Sequence, residues 1–249
     1  MEILPIKTPI LTSGDSFASI LLEHGDIRDD DIIVVSSKAI ATVEGAAICL
    51  SDIEATTEAE DLTRELGKSA AYYQVVLDET TRMNGTIIQS VNGIVLTELK
   101  PDGLTEGSIL VPNAGLDRSN IEEGYVIGWP KDPVESAQNL RAALGNVGII
   151  ITDSGLSPRR KGVISFALTV SGFDPFVSMI GKSDLFGQSM HITEEAVADQ
   201  LSTAANFIMG NTNQSIPAVV IRGHGIPLND FSGWVPGIER EKDIYHKVI

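Results

Sequence analysis

Apolar residues recur along this chain in two rhythms. Short β-branched runs mark strands: residues 2–6, the run Asp31-Ile-Ile-Val-Val-Ser-Ser37 entered from an acidic turn, and residues 147–152, 166–171 and 217–222. Helical spacing marks most of the rest. A helix is expected after Gly14-Asp15, with Phe17, Ile20, Leu21 and Leu22 as its apolar face. Residues 57–78 carry Leu62, Leu66, Ala70, Tyr73 and Leu77 at helical intervals behind a Thr57/Glu60 capping box, and Tyr72 and Tyr73 are expected to pack rather than to offer a stacking platform. Asp132-Pro133-Val-Glu135 has the cap, first-position proline and acidic third position of a helix start, and Gly145 closes that helix after Leu144. Thr193 is expected to cap a helix running to Met209, with Val197, Leu201, Ala205 and Ile208 along one face. Residues 85–99 read as a hairpin turning at Asn92-Gly93. Strands and helices alternate imperfectly, with the hairpin interrupting. The expected fold is therefore α+β around a mixed sheet rather than a doubly wound sheet.

The 249 residues show no repeat and no low-complexity linker, so one unit spanning 1–249 is expected, with a variable C-terminal arm at 224–249. That arm is punctuated by Gly and Pro without a period, which leaves an ordered lid, a dimer arm and a mobile tail all open. A hydrophobic fraction of 43% and a charged fraction of 21% belong to a globular protein. The net charge of −16 argues against a nucleic-acid partner, which requires a basic surface. Cys49 stands alone, so the chain can form no internal disulfide and no cysteine-based metal cluster, and it is expected to be a small buried residue. The start of the chain lacks a signal-peptide pattern, and no apolar run approaches the ~20 residues of a membrane span, so a cytoplasmic protein with no membrane partner is expected.

Two acidic signatures carry the candidate chemistry. One is Asn113-Ala-Gly-Leu-Asp-Arg-Ser-Asn120; the other is Ile151-Thr-Asp-Ser-Gly155, running on to Arg159-Arg-Lys-Gly162. Asp117, Asn120, Asp153 and Ser154 offer hard oxygen ligands, and Arg160 and Lys161 follow Asp153 closely, which suits a divalent ion holding a phosphate. An Asp in an Asn/Gly loop is also an ordinary turn residue, and three adjacent cations are also an ordinary solvated patch. Ser36-Ser37-Lys38 at a strand end could serve a phosphate, without the glycines of a P-loop. There is no GxGxxG and no Gly-x-Ser-x-Gly, so a Rossmann dinucleotide site and a serine hydrolase have no support. The four histidines make no HxxxH pair, although Arg222-Gly-His224-Gly could line a site.

Taken together, these motifs resemble the GTP-dependent coenzyme F420-0:γ-glutamyl ligases. The matching blocks are Val34-Val-Ser-Ser-Lys38 with Glu44-Gly45, Asn113–Gly124, Val147–Ser154, Arg160-Lys-Gly162, Gly181-Lys-Ser-Asp-Leu-Phe-Gly187 leading to Val197-Ala-Asp199, Ala205–Gly210 and Ile216–Gly223, in the family's order. The resemblance implies a ligase of an uncommon α+β fold, working as an intertwined homodimer. GTP would phosphorylate an acceptor carboxylate, and L-glutamate would attack the acyl phosphate to form an amide, with two Mg²⁺ or Mn²⁺ ions bridging the phosphates and K⁺ as a possible further cofactor. By motif match, Asp117 and Asp153 would bind the first metal and Ser154 the second, with Asn211 at the position of a further metal ligand. Thr8, Pro9, Ile10 and Leu11 would touch the guanine side, Ser37, Lys38, Thr42 and Asn120 the nucleotide, and Met209, Gly210, Asn211 and Ile216 would wrap it. Asp153, Arg160 and Lys161 are the candidate catalytic groups.

Three positions depart from the family pattern. Thr42 replaces a nucleotide-contacting lysine, Asn211 a metal-binding glutamate, and Ser157 an arginine. They motivate two other readings: a nucleotide- or metabolite-binding relative that has lost the chemistry, and a phosphohydrolase that uses the same clamp on water.

Overall fold

The structure, a computed structural model, describes residues 1–247; residues 248 and 249 of the expected arm lie outside the described residues. In chain order the elements are β1 (Glu2–Ile6), α1 (Phe17–His24), β2 (Ile32–Ser36), α2 (Ser37–Val43), β3 (Ile48–Cys49), α3 (Thr57–Leu66), α4 (Ala70–Arg82), β4 (Thr86–Val91), β5 (Ile94–Leu99), β6 (Ile109–Pro112) and β7 (Tyr125–Val126). There follow α5 (Pro133–Leu144), β8 (Gly148–Leu156), β9 (Val163–Ser171), β10 (Val177–Ser178), β11 (Glu194–Glu195), α6 (Val197–Met209), β12 (Ala218–Arg222) and β13 (Ser232–Trp234).

The main sheet has six strands in the order β1-β12-β2-β8-β9-β13. Only β2 and β8 run parallel; the other pairs are antiparallel, which makes the sheet mixed. The alternation of a strand explains why β2 and β8 are apolar throughout. Ile33, Val35, Ile149 and Ile151 pack with Phe17 and Leu21 of α1 and Ala137, Leu140 and Leu144 of α5. Ile32, Val34 and Ile150 face the other way, onto Ala198, Leu201, Ala205 and Met209 of α6. Helices therefore cover both faces. A smaller sheet, β4-β5-β6, packs beside α4. Among the described residues, no helix is long and apolar enough to cross a membrane.

Local signals gave several elements directly. Asp132 accepts the Glu135 amide at 2.9 Å with Pro133 at the first helical position, and α5 ends at Leu144. Asn92 and Gly93 both take positive φ (51° and 77°), as the tight turn between β4 and β5 requires. Tyr72 and Tyr73 are buried, edge to face at 5.5 Å.

Five expectations are corrected. The predicted helix over 57–78 is two helices: Gly67, at φ +87°, ends α3, and the Ser69 hydroxyl caps α4. The cap of α3 is Thr56, whose hydroxyl accepts the Ala59 amide, and not Thr57. Thr193 caps nothing, because the chain makes the short pair β10–β11 first and α6 starts at Val197. Leu22 is exposed, since only Phe17 and Leu21 of α1 turn fully inward. Cys49 is half-exposed, 3.1 Å from the Ser51 hydroxyl. Within the C-terminal arm, left open above, β13 lies along β9 as the sheet's last strand.

Candidate functional site

Sheet topology gathers the site. Because β2 and β8 are parallel, Ser36 lies beside Thr152 at the carboxyl end of β2. Because β12 is antiparallel to both β1 and β2, its start lies at that same end: the Ser36 amide donates to Pro217 O and the Thr8 amide to Ser215 O. The ends of β1 and β2, the start of α2, the middle of β8 and the loop between α6 and β12 thus converge on one cleft of about 660 Å³. Ligand sites favour such carboxyl-end crevices.

The structure brings together at this cleft Thr8, Pro9, Ile10, Leu11, Lys38, Thr42, Asp117, Asn120, Asp153, Ser154, Met209, Gly210, Asn211 and Ile216. Ser37 does not line it; it is buried in the first turn of α2, while its neighbour Ser36 does line it. Arg160 and Lys161 lie elsewhere, exposed on the turn between β8 and β9. The expectation that they sit beside Asp153 fails because Asp153 is inside β8 and paired with Phe166 of β9, not in a loop. The strand continues to Leu156 and carries the chain about 10 Å from Asp153 at ~3.3 Å per residue before it turns. His224 also lies outside the cleft lining; its ring bonds Asp30 O at 2.8 Å and accepts the Ile226 amide at 3.0 Å, tying down the chain after β12.

Asp117 is pinned through its backbone. Its amide donates to Ile127 O at 2.8 Å, and the Ile127 amide returns to Asp117 O at 3.0 Å. Its Oδ1 accepts the amides of Arg118 and Ser119, and its Oδ2 accepts the Ser119 hydroxyl at 2.8 Å and the Lys38 ammonium. Burial works against the charged carboxylate, but Lys38 and the Ser119 donors outweigh it and hold Asp117 below the usual range. Asn120 donates to Thr212 O at 2.8 Å, joining this loop to the wall formed by residues 210–216.

Asp153 has a different environment. A register shift after Ile151 leaves Leu168 of β9 unpaired just ahead of it, a bulge of the kind that re-aims side chains. Oδ1 accepts the Ser154 amide at 2.8 Å, and Oδ2 accepts the Trp129 indole N–H. Burial pushes its pKa up to about 6; the Trp129 and Ser154 donors and the Lys38 charge oppose this, and the Asp117 charge adds to it. Among the described residues, no cation bonds it directly.

The donor set fits a hard divalent ion. Two carboxylates, of which Asp117 is partly neutralised by Lys38, share the cleft with the neutral oxygens of Ser154 and Asn211, whose Oγ and Oδ1 are 3.5 Å apart. Among the described residues, no group of three or more His, Cys, Asp or Glu has metal-binding geometry, so neutral oxygens, phosphate and water must complete any shell. That is the habit of Mg²⁺ and its analogues at phosphate sites. Sequence reasoning missed Trp129 and Ser119. Trp129 stands 24 positions from its partner, and no local pattern announces it.

Comparison with known proteins adds three findings. The pattern of a family described as F420-0:Gamma-glutamyl ligase matches residues 5–223. The coenzyme F420:L-glutamate ligase of Methanocaldococcus jannaschii is 34% identical over 251 residues, covering 98% of this chain and 96% of that protein. The enzymes of the same name from Archaeoglobus fulgidus (33% identical, covering 90% of this chain and 88% of theirs) and Methanosarcina acetivorans (36%, covering 87% and 83%) are similar to it as well.

Proposed function

The chain belongs to the F420-0:gamma-glutamyl ligase family, and from that membership we propose that it joins the amine of L-glutamate to a carboxylate acceptor, F420-0 or a related molecule, in a reaction dependent on GTP and a divalent metal. A free carboxylate resists amines, because its charge repels the nucleophile and oxide is a poor leaving group. Transfer of the γ-phosphoryl group of GTP to an acceptor oxygen gives an acyl phosphate. The amine then attacks the acyl carbon, the C–O bond to phosphate breaks, and amide, GDP and inorganic phosphate result. Both steps shift negative charge among oxygens, and oriented donors and cations in a cleft stabilise that charge.

In this reading Asp117 and Asp153 hold Mg²⁺ or Mn²⁺, which neutralises phosphate oxygens when bound. A second ion would rely on Ser154, Asn211 and the phosphates. Lys38 moves its ammonium from Asp117 to the nucleotide. Residues 8–11 and 209–216 flank the nucleotide, and Asn120 fixes the second wall through Thr212. Arg160 and Lys161 do not line the cleft. The observation that carries the reading is the convergence of Asp117, Asp153 and Lys38, from distant parts of the chain, on one cleft. A homodimer belongs to the same reading. The excursion between β10 and β11 presents Leu185 and Phe186 at 99% and 88% exposure, apolar surface that a second copy would cover.

One observation favours the binding-only alternative: Thr42 and Asn211, neutral where the family carries lysine and glutamate, both line the cleft. GDP release separates the readings. The ligase forms GDP only when acceptor is present, turns over continuously once L-glutamate is added as well, and loses both in Asp153→Asn. GTP that raises the melting temperature without turnover marks a binding protein. GDP formed without acceptor marks a phosphohydrolase.

A further inference from the structure

The chain has two tryptophans, and they meet: the Trp129 and Trp234 rings are tilted by 50° with centroids 6.1 Å apart. Trp129 is only 3% exposed, and its indole touches both carboxylate-bearing segments. Its N–H donates to Asp153 Oδ2. Its ring lies so close over Gly115, two residues before Asp117, that a Cβ there would come within 2.6 Å of Nε1. Upstream, Ile127 is the residue whose backbone pairs in both directions with Asp117. Trp129 is therefore a strut between Asp117's loop and Asp153's strand.

Trp234 supports the strut from behind. It lies on β13, beyond the residues matched by the family pattern, opposite Thr169 of β9. Its own indole N–H donates to Asp102 O at 3.1 Å, the Val235 amide to Leu168 O at 2.9 Å, and the Gly237 amide to Glu106 O at 3.0 Å. The C-terminal segment is thus stitched to the sheet on both sides of Trp234.

An aspartate side chain on a strand has two torsions to fix. A buried indole N–H fixes it without the charge that Lys38 brings to Asp117. Indole donates one hydrogen bond, neutralises nothing, and leaves lone pairs free on both carboxylate oxygens. We propose that Trp129 is a positioning residue that orients the Asp153 carboxylate toward a divalent cation, and that Trp234 of the C-terminal segment holds Trp129 in that role. The proposal rests on the reading of Asp117 and Asp153 as metal ligands.

The test is Mn²⁺ titration of the full-length, metal-free protein, followed by electron paramagnetic resonance of free Mn²⁺ and by tryptophan emission. Trp129→Phe keeps a ring in place and deletes the donor. It is expected to weaken Mn²⁺ binding about tenfold, the lower end for loss of an outer-shell partner. In Trp234→Phe, Trp129 is the sole tryptophan, and paramagnetic Mn²⁺ is expected to quench its emission saturably, with the midpoint found by resonance. Trp234→Ala, which frees the back of the strut, is expected to weaken Mn²⁺ several-fold. Wild-type affinity in Trp129→Phe would overturn the inference alone and leave the metal site standing. Saturable Mn²⁺ binding absent from the wild type would overturn the metal reading, and the inference with it. Should Trp129→Phe fail to fold, unquenched Trp129 emission in Mn²⁺-loaded Trp234→Phe still refutes the contact.

Discussion

Asp153 and Asp117 are chemically alike, but their environments shift them in opposite directions. Lys38 and the Ser119 donors hold Asp117 below the usual carboxylate range, whereas burial pushes Asp153 up to about 6. The sign of the consequence follows from linkage. Between the ordinary aspartate value of 3.8 and about 6, the folded metal-free protein keeps a proton on Asp153 that the unfolded chain has lost, so this group's contribution to stability falls as pH rises through that window and is flat above it. Asp153→Asn does not titrate. Relative to wild type, the metal-free variant is expected to gain stability between pH 4 and pH 7, by up to about 3 kcal/mol, while losing turnover. Thermal melts across that range check it; a pH-independent difference would contradict the assigned environment. Lys38→Met removes the partner of Asp117. The pair is partly exposed, so its loss should cost about 1 kcal/mol or less of stability. GTP-dependent turnover should fall at least tenfold, which steady-state kinetics would read. At this scale the sequence exposed Asp117, Asp153 and Lys38 because each sits in a short polar motif. It misplaced Arg160 and Lys161 because closeness along the chain is not closeness in space when a strand continues between. Trp129 was invisible because its partnership is made entirely by tertiary folding.

Elements with chemical punctuation were legible, and elements made by pairing were not. The cap and proline of α5 and the Asn92-Gly93 turn act locally, and both form as read. Asp132→Ala should cost about 1 kcal/mol through the lost cap, with catalysis intact, and a denaturant titration beside an activity assay would measure both. The break between α3 and α4 was hidden because the apolar period runs across it; Gly67 and Ser69 alone mark it. The extension of β8 through Asp153 to Leu156 depends on β9 lying beside it, a non-local pairing that no window of the sequence contains. Two-residue strands such as β3 and β7 are too short to carry any period.

Over the whole molecule, the mixed sheet decides where chemistry happens. One parallel pair flanked by antiparallel strands sends the ends of β1, β2 and the start of β12 to the same crevice. The mixed α+β class was legible from the imperfect alternation of elements; the strand order was not, since it depends on pairings over distances up to the length of the chain. The proposed homodimer makes a prediction at this scale: the wild type should scatter light with twice the mass of one chain, and Leu185→Asp with Phe186→Asp, at exposed positions, should halve it; an unchanged dimer mass would exclude that excursion from the contact. Amide formation through an activated carboxylate is the step on which the proposed reaction stands. It is tested most directly by mass spectrometry of the acceptor after incubation with GTP, Mn²⁺, L-glutamate and F420-0 bearing ¹⁸O in its carboxylate. The expected result is an acceptor heavier by a glutamyl residue and one ¹⁸O in the inorganic phosphate released with each GDP. GDP and phosphate formed with the acceptor unchanged, or an amide formed with unlabelled phosphate, would contradict it.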